Sequence, residues 1–372
     1  MDIVIGLLCL NVIVFFHELG HFIVAKLNGV KVLTFSIGMG PVLLRKMHKG
    51  TEYRLSLLPI GGYCGMEGEN DFQNAIENNS DTINASKTSL YGVHPLRRAL
   101  IALAGPFSNF VISVVAFTIV LMVGYTFTTY TNRIILPDET VESPARNAGM
   151  LSGDKIIKIN GTEIKYFYEI QKEISFRPKE EVDITVDRNG EILNFKIKTL
   201  LNKDMGNGII GITCDDTELV YLEAKTYSLF PAIYRGILKT GEMIGATLKS
   251  LTVLFKGVNI SKTVSGPIRI SLMLGESVRG GFKENFRTGL YSLMELCALI
   301  SISLGIMNLL PIPVFDGGLI FIALIEAITR KRIPPKVQLK IQIIGVAIII
   351  FILIFVVMFD INYFVTKWGA AK

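Results

Sequence analysis

Ile3-Val4-Ile5-Gly6-Leu7-Leu8-Cys9-Leu10-Asn11-Val12-Ile13-Val14-Phe15-Phe16-His17-Glu18-Leu19-Gly20-His21 decides how this chain is read. The run continues to Leu27 and is apolar except for Asn11, Lys26 and the cluster at 17–21. At about 1.5 Å of rise per residue, a helix over 3–27 is long enough to cross a bilayer core. His17 and His21 are four apart, so on that helix both imidazoles leave one face, one turn apart. Two ring nitrogens so placed can reach one zinc ion at roughly 2.0–2.1 Å each, and Glu18 can face a metal-bound water. Satisfied histidines on a solvated helix are the alternative, but ionisable groups at membrane depth are costly and usually functional. Met1-Asp2-Ile3-Val4 carries no positive stretch and no small-residue cleavage site, so the run is expected to be retained as a span.

The rest of the 372-residue chain agrees with a membrane setting. Half the residues are hydrophobic, and the mean hydropathy is +0.46. The net charge of +6 forms no continuous patch or stripe, which argues against a nucleic-acid partner. Cys9, Cys64, Cys214 and Cys297 include no CxxC pair, so neither a disulfide framework nor a cysteine zinc site is implied. Three more spans are expected: 99–125, a broken one over 290–328, and 341–360. Lys31, Arg45, Lys46, Lys49, Arg54, Lys87, Arg97 and Arg98 lie between spans one and two. Arg330, Lys331, Arg332, Lys336 and Lys340 lie between spans three and four. Basic segments mark the cytoplasmic side, which leaves both termini and the loop after span two outside.

Between the second and third spans the composition changes. Residues 126–203 have balanced charge, short alternating strands at 155–160, 182–187 and 192–199, and a helical stretch at 166–176. Asn160-Gly161 and Asn189-Gly190 supply hairpin turns. Residues 204–287 read as a linker region. Within it, 221–257 carries Phe230, Ile233, Ile237, Ile244, Leu248 and Leu251 at helical spacing, as on an amphipathic helix at the membrane surface. A helix packed on a soluble domain is the alternative. Residues 42–63 alternate around Lys49-Gly50 and read as a β-hairpin.

A catalytic zinc takes three protein ligands and keeps one position open. His48 and His94 lie in polar segments, which leaves Asp316 in Asn308-Leu309-Leu310-Pro311-Ile312-Pro313-Val314-Phe315-Asp316-Gly317-Gly318. A lone carboxylate in an apolar segment calls for a cation to hold it. The alternative is an aspartate at a helix start before two glycines.

His17-Glu18-Leu19-Gly20-His21 with Asn308-xx-Pro311-x-Pro313-xx-Asp316-Gly317 resembles the site-2 protease family of intramembrane zinc metalloproteases (peptidase M50 type). Phe35-Ser36-Ile37-Gly38, Ala104-Gly105-Pro106-Phe107-Ser108-Asn109 and a single domain after span two make it similar to bacterial regulator-of-sigma-E-type members. The resemblance covers nearly the whole chain. It implies a multi-pass α-helical protein of about four spans in the bacterial cytoplasmic membrane, in contact with lipid. Its Zn2+ would be held by His17, His21 and Asp316, with Glu18 as catalytic base.

Asn308 and Asn109 would hold the substrate backbone, although packing or capping is an alternative for Asn109. Residues 42–63 would be a membrane re-entrant hairpin, with a plain cytoplasmic hairpin as the alternative. The 126–203 domain, through Ser143-Pro144-Ala145, Ala148-Gly149-Met150 and Ser152-Gly153-Asp154-Lys155-Ile156-Ile157, resembles one PDZ module, which binds peptide C termini by strand addition. Many such members carry two; this chain has room for one. Implied substrates are single-pass membrane proteins, such as anti-sigma factors or remnant signal peptides. A metal transporter would need polar groups continuing through the membrane, and the cores of spans two and four offer none.

Overall fold

The computed structural model describes residues 2–78, 80, 83, 85–253 and 266–369, as two compact units. The first unit takes in Met1–Val123, Tyr227–Ile244 and Gly266–Lys372; the second is built chiefly from Gly124–Thr226.

The first unit begins with α1 (Asp2–Leu27), followed by β1 (Val32–His48), β2 (Thr51–Met66), α2 (Glu69–Glu77) and α3 (Pro95–Val123). The hairpin turns at Lys49 and Gly50, whose φ values of 46° and 78° are both positive, as a two-residue turn of the primed kind requires. It is longer than the expected 42–63 and folds back on itself. Thr34, Phe35, Ser36 and Ile37 pair with Gly65, Cys64, Tyr63 and Gly62 on one side and with Glu52, Tyr53, Arg54 and Leu55 on the other. The far end of β1, from Val42 to His48, pairs with Ser56 to Thr51. Gly38 permits the bend, since its φ is +79° and a Cβ there would stand 2.5 Å from the Leu58 carbonyl oxygen. The segment Gly62–Met66 thus lies at the rim of the sheet, and its neighbour beyond the sheet is α1.

The second unit has β3 (Thr126–Tyr130), β4 (Ile134–Ile135), α4 (Pro144–Asn147), β5 (Lys155–Ile159), β6 (Thr162–Glu163), α5 (Phe167–Ser175), β7 (Glu181–Arg188) and β8 (Glu191–Lys198). It continues with β9 (Leu200–Leu201), β10 (Gly208–Ile209), β11 (Thr213–Cys214) and β12 (Leu219–Glu223). The antiparallel sheet runs β6-β5-β7-β8. Along β7, Val182, Ile184 and Val186 are at most 1% exposed while Glu181 and Asp183 face out, the period of two that a half-buried strand shows. Asp154 is buried against the Arg188 guanidinium, with contacts of 2.7 and 2.8 Å, and accepts a bond from the Leu151 N–H. Burial pushes that carboxyl up, but the arginine and the backbone N–H outweigh it and hold it below the usual carboxylate range.

This unit does not stop at residue 203. β10, β11 and β12 add to it, and β12 pairs with β3 from Leu219↔Tyr130 to Glu223↔Thr126, bringing its two ends together. β10 and β11 have two residues each, and β12 is apolar at four successive positions, so none of them leaves an alternating pattern in the sequence.

The chain returns through α6 (Leu229–Val253), α7 (Pro267–Glu284), α8 (Phe286–Leu309), α9 (Asp316–Thr329) and α10 (Pro335–Gly369). The helix expected over 221–257 therefore begins at Leu229, with Tyr221 in β12; residues 254–257 lie outside the described ones. Ala232, Gly236 and Thr240 are buried, while Phe230, Ile237 and Leu248 are exposed. A Cβ on Gly236 would stand 2.8 Å from Thr118 Oγ1 of α3, so small residues let the two backbones close up. Helix α7 fell within the expected linker. Its first turn is held by Asp360 of α10, which accepts from the N–H groups of Gly266, Ile268 and Arg269 at 2.9–3.3 Å.

Helices α1, α3, α8 and α10 are each long and apolar enough to cross a membrane. The broken third span is two helices: α8 ends at Leu309, and the 14-residue α9 starts afresh at Asp316. One charge inside the helix layer was read from sequence only as a topology signal. Arg98 of α3 is 2% exposed and ion-paired with Glu326 of α9. Glu326 also accepts from Ile333 N at 2.9 Å and from Gln338 Nε2, so the pair ties the end of α9 to α3 and to the start of α10. Removing one partner of a buried pair strands the other charge. Arg98→Met is expected to cost about 3–5 kcal/mol, and Arg98→Met/Glu326→Leu to recover most of it, measured as unfolding midpoints in detergent.

Candidate metal centre

Helix α1 carries His17, Glu18 and His21 on adjoining turns, and the two histidines are each 7% exposed. Asp316 is the first residue of α9, reached through Pro311-Ile312-Pro313, where the chain leaves α8 and turns. Val314 in that turn has φ +103°, a conformation that a β-branched residue rarely takes. Gly317 and Gly318 follow Asp316 because there is no room for more: a Cβ on Gly317 would stand 2.2 Å from Leu310 O, and one on Gly318 2.5 Å from Ile312 O.

Three side chains converge. His17 Nε2 is 3.2 Å from Asp316 Oδ2, His21 Nε2 is 3.3 Å from Asp316 Oδ1, and the two Nε2 atoms are 3.3 Å apart. Four ligands at about 2.0–2.1 Å around a tetrahedral zinc stand roughly 3.3 Å from one another. The N–N spacing and the distance from each nitrogen to its nearer carboxylate oxygen are close to that edge length. One ligand atom of each residue lies within 4.8 Å of the others, and the donor set of two imidazoles and a carboxylate suits zinc. Among the described residues no other group of histidine, cysteine, aspartate and glutamate has such spacing. His48 and His94 are both exposed and stand outside this cluster.

The rear of each imidazole is also held. His21 Nδ1 donates to the Ile101 carbonyl at 2.8 Å, which leaves its Nε2 with the lone pair that a metal needs. His17 Nδ1 lies 3.1 Å from the Asn109 carboxamide. Between these two supports, Gly105 of α3 sits directly against the rings. A Cβ there would stand 2.2 Å from His21 Nε2 and 2.8 Å from His17 Cε1.

A cleft of about 410 Å³ opens over the three side chains. Glu18, Asn308, Val314, Leu304 and Leu319 line it, with Tyr63, Cys64 and Met66 of β2. Cys64 of β2 and Glu18 line the cleft together, and Gly62 brings the strand so close that a Cβ there would stand 3.6 Å from Glu18 Cγ. Of the six residues singled out from sequence, five line the cleft: His17, Glu18, His21, Asn308 and Asp316. Asn109 does not. It is fully buried behind His17. Sequence reasoning missed Gly105 as a contact and the Ile101 carbonyl. The latter is a backbone group and leaves no trace in residue types. Gly105 could have been found from its place in Ala104-Gly105-Pro106, a cluster of small residues inside a span.

Gly105→Ala is expected to weaken zinc binding by at least about tenfold, because the methyl displaces both imidazoles. Zinc content of the purified protein after dialysis against a mild chelator measures it.

The family model described as peptidase family M50 matches residues 5–352. A protein of Treponema pallidum is 33% identical over 446 aligned positions that cover 98% of this chain and 99% of that one. Relatives from Clostridium perfringens (33% identical, 90% of this chain and 91% of that one) and Campylobacter jejuni (32%, 96% and 92%) align almost as fully. All three carry the name "Putative zinc metalloprotease". The Treponema alignment is longer than the 372 residues of this chain, so that relative has inserted residues.

Proposed function

Because the chain belongs to peptidase family M50 and is a zinc metalloprotease with four apolar helices, we propose that it cuts single-pass membrane proteins within or beside the bilayer. In this reading His17, His21 and Asp316 are the zinc ligands and Glu18 is the general base. One observation carries it. Two imidazole nitrogens and a carboxylate from helices almost 300 residues apart in the chain converge, the nitrogens 3.3 Å from each other and each 3.2–3.3 Å from one carboxylate oxygen, beside the Glu18 carboxylate that lines the same cleft.

Zinc held there would polarise a scissile carbonyl and lower the pKa of a water. Glu18 takes a proton from the water as its oxygen bonds the carbonyl carbon, and returns it to the amide nitrogen as the C–N bond breaks. The β2 backbone at Gly62–Cys64, which lies against Glu18, would keep that carboxylate in place for the transfer. Asn308, on the cleft wall, offers a donor and an acceptor to the substrate backbone.

A peptide bond inside a helix has its carbonyl engaged, so the substrate must be extended before water attacks. The rim segment Gly62–Met66 supports strand addition as the means: it pairs with β1 on one side and borders the cleft. The exposed Val42, Leu43, Leu44 and Met47 of the hairpin suit contact with lipid, in keeping with a re-entrant hairpin. The basic segments before α3 and before α10 are cytoplasmic in this reading, with both termini outside. The second unit acts as a single PDZ-like module. A groove of about 390 Å³ between α5 and the β10–β11 stretch, lined by Ile170, Ile174, Ile209 and Gly211, fits an extended apolar peptide C terminus. Anti-sigma factors and remnant signal peptides are the substrate classes this arrangement suits.

Glu18→Gln is expected to keep about one zinc per chain and to lose roughly 10²–10⁴-fold in cleavage of a single-pass test substrate in detergent. His21→Ala and Asp316→Ala should lose both. Normal turnover by Glu18→Gln would overturn the assignment.

A further inference from the structure

We propose that Asn109 is a positioning residue, whose carboxamide oxygen accepts the Nδ1 proton of His17 and so fixes the tautomer that presents Nε2 to zinc. This rests on the reading of His17 as a ligand. An imidazole that binds a metal through Nε2 keeps its proton on Nδ1, so whatever stands at Nδ1 must accept. For His21 the partner is the Ile101 carbonyl, which can only accept. For His17 the partner is a carboxamide, whose two ends have nearly the same shape and opposite roles. The atom 3.1 Å from Nδ1 is placed as Nδ2, while Oδ1, buried on the other branch, has no hydrogen-bond partner. Turning the amide by half a revolution puts the partnerless oxygen on the imidazole proton, without moving a heavy atom appreciably.

Everything around Asn109 is built to hold it still. It is fully buried, and its own carbonyl accepts from Ser113 Oγ and Ser301 Oγ, each at 2.9 Å, so α3 and α8 both fix its backbone. It is not among the residues lining the cleft, which removes it from contact with substrate. A buried amide locked at the rear of a ligand, on the side away from substrate, has a single chemical task open to it: to choose which imidazole nitrogen is protonated.

The test compares two substitutions in the full chain. Asn109→Asp keeps an acceptor at the same reach; Asn109→Leu keeps the volume and has none. Zinc affinity by chelator competition, and the visible absorption of the cobalt-substituted protein, are the readouts. Asn109→Leu should bind zinc about 10–100-fold more weakly and shift the cobalt bands, with Asn109→Asp within about threefold of the unaltered chain. Should Asn109→Leu fail to fold, Asn109→Ala against Asn109→Asp carries the same comparison. Unchanged affinity and spectrum in Asn109→Leu would overturn the proposal. So would equal losses in the Asp and Leu variants, which would mean packing rather than acceptance. Unaltered zinc binding, with a raised KM for cleavage, would return Asn109 to the substrate. Full zinc in His17→Ala would instead remove the ligand assignment itself, and the proposal with it.

Discussion

An aspartate carboxylate among apolar helices needs a cation, and Asp316 stands 3.2 and 3.3 Å from two imidazole nitrogens of another helix that would share a zinc ion with it. The cost of leaving any of the three alone in a medium without water is several kcal/mol, so they have to meet. That requirement shapes the helices around them. Helix α1 must run close enough to α3 for Gly20 to lie against the Ala104 carbonyl, where a Cβ would stand 2.3 Å away. Helix α8 must stop short so that α9 can begin at Asp316, and two prolines with two glycines make that break.

The same helices are then locked from outside the site. The Arg98–Glu326 pair anchors the far end of α9, and Asp360 pins the first turn of α7 to α10. Gly345 of α10 lies against the proline turn, where a Cβ would stand 2.2 Å from Pro313 O. Each is a polar or close-packed contact between helices whose large apolar side chains point outward. This is the pattern expected where lipid, rather than a protein core, receives them.

The features legible in the sequence were those with a strong period or a charge out of place. Four long apolar helices, the His17–His21 spacing and the isolated Asp316 all fall in that class. The 155–160, 182–187 and 192–199 strands were legible because apolar residues alternate there and Asn-Gly turns bound three of their ends. The end of the second unit was not, since β9 to β11 have two residues each and β12, Leu219-Val220-Tyr221-Leu222-Glu223, is apolar at four successive positions. Helix α6 was legible through its apolar stripe, while the face that packs on α3, Ala232-Gly236-Thr240, left no such signal, because close approach between helices selects small residues over large ones. Arg98 misled because a basic residue beside a span normally marks a side of the membrane, and nothing local announces a glutamate 228 residues away. Asn109 was found as a residue, and its place behind His17 follows only from the packing of α3 on α1.

The central claim is that one zinc ion joins α1 to α9 through two imidazole nitrogens and one carboxylate oxygen. Zinc K-edge X-ray absorption on the purified protein tests it most directly. The account predicts only nitrogen and oxygen neighbours at about 2.0–2.1 Å, with the outer-ring signature of two imidazoles. A sulfur shell at about 2.3 Å would put Cys64, which lines the same cleft, on the metal and contradict the ligand set.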